Sequence, residues 1–551
     1  MAGNDQRKPL LSRLAADIRG NTLAIMAAAM VPLAGLVGGG IDMSRMYMTK
    51  TRLQHACDAG ALAGRRAMGG GTWSQNNNYA GTIANQFFDG NFPNGSYGTT
   101  GLTRSFSERT GTVSGTASAT VPMTLMRVLG QTTQTITVVC GSQMRLPNTD
   151  VMFVLDTTGS MGQTPSGDSQ TKMASLKVAV KCFYEILARQ NTNANCAVTT
   201  PGGGLGSQVQ VRFGFVPYAT NVNVGRLLQN GWMADSWNYQ TRVANRSNGN
   251  FVNWTYRQAP INVSGLKAGG SNWNNSITAP TGSTGTNATI TWDGCIEERQ
   301  TVRTTDFDPL PAGAKDLDID TLPNAADATT QWGPVLPGLI YTRWSGCCYT
   351  TANVTTTSNL ANYSYYACPE PARKLQSWPV VSDFEAYVDS LQPEGNTYHD
   401  IGLLWGARLM SATGLFASEN ALTPSGGEIE RHMLFMTDGD PCTDPFNYTA
   451  YGVNWYDRRQ TDANSEPTGG CTSTGTMTEQ VNLRTEALCT AIKNKNITLW
   501  VITFGSLDST TVTRMTNCAS PGRYYNASNA ATLQTAFASI ASQISQLRVT
   551  L

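Results

Sequence analysis

"VMFVLDTTGSMG", residues 151–162, sets five apolar residues directly before an aspartate, two threonines, a glycine and a serine. A short run that is apolar at every position reads as a strand buried on both faces, as strands of a parallel sheet are. The residues after it are helical in spacing: Met173, Leu176, Val180, Phe183 and Leu187 step by three and four. "QVQVRFGFV" (208–216) reads as a second strand. The alternation resumes past residue 376, with a helix around Phe384, Tyr387, Val388 and Leu391, the strand "HMLFMTDGD", and a helix bearing Val481, Thr485, Leu488 and Ile492. The strand "ITLWVITFG" and a closing helix with Leu533, Phe537, Ile540, Ile544 and Leu547 end the series. Such alternation predicts an α/β domain, a doubly wound, mainly parallel sheet with helices on both faces.

The rhythm stops between about 222 and 375, a stretch rich in Asn, Thr, Gly and Trp that carries seven of the twelve tryptophans and four cysteines. It is too long for a plain loop and predicts a large inserted, partly β, disulfide-tied subdomain. Its tryptophans suit a core role and a ligand-binding role equally well. A smaller insertion, 440–477, contains Cys442 and Cys471.

Ahead of this domain, Arg7, Lys8, Arg13 and Arg19 precede an uncharged run from Thr22 to Ile41. Twenty helical residues span about 30 Å, the thickness of a bilayer's hydrocarbon layer. The basic flank 1–19 is expected in the cytoplasm, 20–42 in the membrane as a retained single anchor, and the rest exported. A cleaved signal peptide has a shorter apolar core. Gly35 and Gly39 form one small-xxx-small pair, read here as the ordinary glycine enrichment of membrane helices. Residues 43–148 begin with a proline-free helical stretch to Met68, followed by a short helix near "YAGTIANQFF" and strands in "GTVSGTASATVPM" and "TQTITVVCGSQM". A helix packed on a small sheet is the expectation.

A net charge of +1 with 14% charged residues lacks the basic footprint of a nucleic-acid binder, so no nucleic-acid partner is expected. All twelve cysteines follow the membrane segment, where disulfides are permitted, and none has zinc-ligand spacing.

Ligands of open parallel sheets bind beyond the carboxyl ends of the strands. Asp156, Thr158 and Ser160 fall there, as does Asp438 at the end of "LFMTD", while "EGNTYHDIGLL" places Thr397 just before a helix. Two carboxylates and three hydroxyls are hard donors suited to Mg²⁺, with Ca²⁺ or Mn²⁺ as alternatives. A simpler reading makes Asp156 a helix N-cap, but that leaves Thr397 and Asp438 unused. His399 is read as a surface residue at a helix start. No nucleophile elbow is recognisable, so catalysis is not expected.

"DTTGS", "GNT" and "MTDGD", in this order, resemble the metal-ion-dependent adhesion site of von Willebrand factor A domains across about 149–548. The resemblance implies Asp156, Thr158, Ser160, Thr397 and Asp438 as metal ligands, with an acidic side chain of a protein partner completing the shell. It also implies a Cys489–Cys518 bridge. "RGNTLAIMAAAMVPLAGLVGGGIDMSRMYMTKTRLQHACDAGALAG" is similar to the start of TadE/TadG-like proteins of Flp (tight adherence, Tad) pilus assembly, and its fusion to an A domain resembles the TadG-like member. That implies a bacterial inner-membrane protein, its bulk in the periplasm, whose partner is another pilus-machinery component. A cell-surface adhesin that uses the metal site and the insertion on external ligands is the alternative.

Overall fold

The structure, a computed structural model, describes residues 18–68, 73–109, 112–143, 148–188, 210–269, 272–345, 348–354, 358–363, 366–421, 428–471 and 475–546. Arg7, Lys8 and Arg13 of the basic flank, Cys196, Cys347 and Leu547 lie outside the described residues. The chain is a mixed α/β structure that divides into two compact units on either side of residue 146.

The first unit opens with α1 (Ile18–Met68), a continuous 51-residue helix that contains Pro32. It is the one described helix long and apolar enough to cross a membrane. Ile25, Met26, Met30, Leu33, Leu36, Val37 and Ile41 all point outward, as a lipid-facing segment requires and a soluble helix avoids. Further along, the outward apolar ring gives way to one buried stripe. Leu53, Ala56, Cys57 and Ala61 are buried against α2 (Gln75–Asn91) and an antiparallel sheet. The sheet is β1 (Thr100–Arg109), β2 (Thr112–Pro122) and β3 (Thr133–Gln143), in that order. The sequence did not announce β1, because "TGLTRSFSER" is largely solvated and lacks clean alternation. A disulfide between Cys57 and Cys140 ties α1 to β3.

The second unit begins with β4 (Asn148–Asp156), buried from Thr149 onward, followed by α3 (Lys172–Ala188) and β5 (Val211–Tyr218). The 222–375 stretch then supplies two hairpins, β6 (Ser236–Ser247) with β7 (Asn250–Asn262) and β8 (Ser276–Ala279) with β9 (Ala288–Thr291). Trp232, Trp292, Trp332 and Leu336 of this stretch share one core with Val154 of the sheet and with Leu404 and Trp405. The insertion is therefore packed into the sheet's own core, and five of its seven tryptophans are structural, these three buried in it and Trp237 and Trp273 packed against it. A Cys295–Cys368 disulfide ties it.

The chain returns through β10 (Arg373–Gln376), α4 (Val381–Ser390), α5 (His399–Met410) and β11 (Ile429–Thr437). It ends with α6 (Thr476–Asn494), β12 (Ile497–Phe504), α7 (Ser509–Cys518), β13 (Tyr524–Ala527) and α8 (Ala530–Gln546). The six-stranded sheet has the order β10-β5-β4-β11-β12-β13. All neighbours are parallel except β10, which runs antiparallel at the edge. Successive β4 side chains serve opposite faces: Phe153 meets Phe183 of α3, which meets Phe537 of α8, whereas Val154 lies under Gly406 of α5. A Cβ at Gly406 would fall 2.5 Å from the Val154 methyl, so glycine lets α5 sit close to the strand. Cys489 of α6 and Cys518 of α7 are disulfide-bonded, as are Cys442 and Cys471.

Candidate functional site

Parallel pairing sets the site. Because β4 is in register with β5 through Asp156 and Tyr218, and with β11 through Leu155 and Met436, the ends of the two central strands lie side by side. Asp156 leaves β4 and Asp438 follows β11 by one residue, at the edge where backbone amides no longer have a neighbouring strand to bond. Both carboxylates are buried.

Asp156 Oδ1 accepts from the Thr158 backbone N–H at 2.9 Å and from its hydroxyl at 2.6 Å. The Asp156 side chain thus closes a tight turn on itself, rather than capping an α-helix. Thr158 Oγ1 is 3.0 Å from Ser160 Oγ, and Ser160 donates to Asp438 Oδ1 at 2.7 Å. The other Asp438 oxygen accepts from Lys172 Nζ at 2.9 Å. Four of the five expected residues therefore form one hydrogen-bonded chain: Asp156, Thr158, Ser160 and Asp438.

Thr397 stands apart from that chain. Its loop is bonded to the same turn, Gly159 N–H donating to Gly395 O at 2.9 Å and Glu394 N–H to Thr157 O at 2.8 Å. Gly395 has φ +79°, and a Cβ there would lie 2.6 Å from Ala367 Cβ, so the loop's close approach needs glycine. Thr397 itself is buried and exchanges backbone bonds with Cys442. Among the described residues, no hydrogen bond joins its hydroxyl to the other four.

Three contacts escaped the sequence reading. Thr437 donates to Asp156 Oδ2 at 2.9 Å, Tyr218 OH lies 3.4 Å from the same oxygen, and His399 Nε2 is 2.9 Å from the Thr437 hydroxyl. With the Thr437 proton on Asp156, His399 is the donor in that pair. The expectation of a surface histidine is corrected: His399 has no exposure, and burial, with the Arg514 charge second, pushes its pKa down to about 3. It buttresses the carboxylate from behind as a neutral ring. Lys172 was missed as well. Its signal was a lysine at the first position of α3, where the helix dipole disfavours positive charge.

The electrostatics are unbalanced. Burial first, and then the Asp438 charge, push Asp156 up to about 7, although bonds from Thr158 and Thr437 pull the other way. Two buried carboxylates face one ammonium, and the ammonium sits on Asp438 alone. A divalent cation fits this donor set, which is all oxygen and one positive charge short. No group of three or more His, Cys, Asp or Glu suited to a metal occurs among the described residues. This cluster has two carboxylates and relies on hydroxyls for the rest.

Residues 20–69 match a protein-family model described as "Putative Flp pilus-assembly TadE/G-like". No curated protein matches the chain. Among solved structures, it is similar to the pilus adhesin SpaC from Lactobacillus rhamnosus GG, at 12% identity and a TM-score of 0.29, over 80% of this chain and 34% of that one. It is also similar to proximal thread matrix protein 1 from the mussel byssus, at 9% identity and a TM-score of 0.26, over 72% of this chain and 46% of that one. A structure of the byssus protein with a zinc-occupied MIDAS motif matches at 12% identity and a TM-score of 0.18, over 32% of this chain and 35% of that one. The chain spans about a third of the length of SpaC and under half of the byssus protein.

Proposed function

We propose that this protein is a membrane-anchored, periplasm-facing component of Flp (Tad) pilus assembly that works by binding rather than by catalysis. In this reading the second unit is a doubly wound von Willebrand factor A-like domain. Asp156, Thr158, Ser160, Thr397 and Asp438 hold a divalent cation there, Mg²⁺ first, and an acidic side chain of another pilus component completes its shell. The pilus assignment rests on the N-terminal family match. The site assignment rests above all on the continuous chain from Asp156 through Thr158 and Ser160 to Asp438, at the carboxyl ends of adjacent parallel strands.

The residues' own part is to fix oxygens in space. Thr437 and Tyr218 hold one side of Asp156, so its other oxygen faces Thr158. When bound, a divalent cation supplies the positive charge that attracts a partner carboxylate. Its binding would compete with the hydrogen bonds that now link Ser160 and Lys172 to Asp438.

Cross-linked capture from membranes tests the reading. A partner should be recovered with Mg²⁺ present and lost with chelator or with Asp156→Ala; recovery indifferent to both would refute a metal-dependent docking site. Protease added to intact cells separates the adhesin alternative, because cleavage of the second unit before the outer membrane is opened would place it outside the cell.

A further inference from the structure

Within the first unit, the connection between β2 and β3, residues 123–132, contains a short helical turn, Met126–Leu129; Met126 packs against the unit's core, while the apolar side chains beside it are left outside. Val128 is 84% exposed, Leu129 55% and Leu125 41%, and Arg127 among them is exposed too. Loops at such positions are ordinarily polar, and three neighbouring apolar tips in water form an unfavourable patch.

The turn is held rigidly against α1. Asp42 accepts three backbone N–H bonds from it: Thr124 at 2.9 Å, Leu125 at 2.9 Å and Met126 at 2.8 Å. One helical turn later, Arg45 donates to Thr124 Oγ1, to Pro122 O and to Tyr97 O. The glycines of α1 receive the turn. A Cβ at Gly38 would stand 2.6 Å from Leu125 Cβ, while Gly35 faces Leu129 and Gly39 faces Met126. So Gly38 is the glycine that makes room for a loop of the same chain, whereas a Cβ at Gly35 or Gly39 would only reach ordinary contact distance from the turn, 3.5 and 3.8 Å.

The height of this contact decides what covers it. A hydrocarbon layer of about 30 Å entered near Gly20 is left about twenty residues later, at about Gly40, given a rise of about 1.5 Å per residue. Gly35, Gly38 and Gly39 therefore lie in the last turns of that layer. Leu36, Val37 and Ile41 are exposed at the same height on α1, so apolar surface faces outward at that level on the helix as well as on the turn. The two charges at the boundary are already engaged, Asp42 by amides and Arg45 by carbonyls and a hydroxyl.

From this shared height we infer that the 125–129 turn is a second membrane contact: Leu125, Val128 and Leu129 enter the non-cytoplasmic leaflet beside α1, and Arg127 reaches the lipid phosphates. Long basic side chains bury their stems in this way while the charge stays at the headgroups. Two points of contact, helix and turn, then set which side of the first unit faces the bilayer. The inference rests on the reading of α1 as a membrane anchor.

The test uses the full chain in vesicles of phosphatidylethanolamine and phosphatidylglycerol, carrying a nitroxide label at Val128→Cys, at Leu33→Cys or at Val252→Cys. Relaxation by lipid-soluble oxygen is compared with relaxation by a water-soluble nickel chelate. Oxygen should dominate at Val128 as it does at Leu33, and nickel at the exposed Val252 of the second unit. Nickel-dominated relaxation at Val128 with oxygen-dominated Leu33 would overturn the inference and leave the anchor standing. A Val128 label shielded from both agents would overturn it too, since protein would then cover the turn. Nickel-dominated Leu33 would remove the anchor reading and the inference with it.

Discussion

Glu298 and Asp156 are carboxylates with no solvent exposure in the same compact unit, yet their surroundings are opposite. Glu298 takes both oxygens' worth of Arg408 Nη1, at 2.9 and 3.0 Å, and one indole N–H each from Trp405 (2.7 Å) and Trp332 (3.0 Å). Arg408 spends its remaining donors on the carbonyls of Asp316 and Asp318, and Arg484 pairs with Asp316 nearby. Glu298 and Asp316 each meet a guanidinium. Asp156 is met by hydroxyls and the backbone amides of Thr158 and Asp438, and the charge that acts on it, Asp438, has its own sign. The difference teaches that burial of a carboxylate is not what marks a site. The balanced cluster staples the insertion to α5, whereas the unbalanced one, at the strand ends, keeps an electrostatic demand that a proton on Asp156 or a bound cation would relieve.

This contrast can be broken by mutation. Glu298→Ala strands a buried guanidinium and two indole N–H groups and should cost about 3–5 kcal/mol of stability, read from chemical denaturation in detergent. A loss under about 1 kcal/mol would show that water compensates the network after all. At the other cluster the effects should separate. Asp438→Ala should weaken divalent-cation binding by more than the 10–100-fold that outer-shell changes typically cost. In chelator it should leave stability within about 1 kcal/mol of wild type, because it removes the like charge that opposes Asp156.

pH sharpens the comparison further. Asp156 is raised from an ordinary carboxylate value to about 7, so the folded state holds its proton more tightly than the unfolded chain does. Its contribution to stability is complete below about pH 4 and declines as pH rises to about 7, by up to about 1.4 kcal/mol per pH unit. Glu297 and Asp400, also raised to about 7 by burial, act in the same direction. Melting curves across pH in chelator, in saturating Mg²⁺ and with Asp156→Asn isolate the share of Asp156. Both Mg²⁺ and the asparagine should flatten the decline, and an unchanged slope would count against cation binding at Asp156. The smallest effect belongs to Lys172→Met. Removing the one ammonium beside Asp438 should tighten cation binding about 2–5-fold, the scale of a partly exposed ion pair, measured by Mg²⁺ titration.

Much of this was legible because the physics is local. Val151 to Leu155 are apolar at every position and form a two-face-buried strand, and the three-and-four spacing of Met173 to Leu187 gives α3. Asp156, Thr158 and Ser160 are close in sequence, and one turn brings them together. Thr397 is different: it reaches the neighbourhood only through the backbone bonds of Gly395 and Cys442, which no periodicity encodes. His399 looked solvated because a helix start is usually exposed, but the sheet edge and Thr437 cover it. The tryptophans of the insertion gave composition without partners. Only the fold reveals that Trp332 shares a carboxylate with Trp405, seventy-three positions along the sequence. Likewise, β1 hid because its residues face water, and the glycines of α1 hid because their partner turn lies more than eighty residues on.

The proposed function stands or falls on whether the chain from Asp156 to Asp438 holds a cation. Binding of Mn²⁺, used as a paramagnetic stand-in for Mg²⁺ and followed by its EPR signal in the detergent-solubilised full chain, tests it most directly. One Mn²⁺ per chain should bind, be displaced by Mg²⁺, and be lost in Asp156→Asn and in Asp438→Ala. Binding that survives both substitutions, or no binding by the wild-type protein, would contradict it.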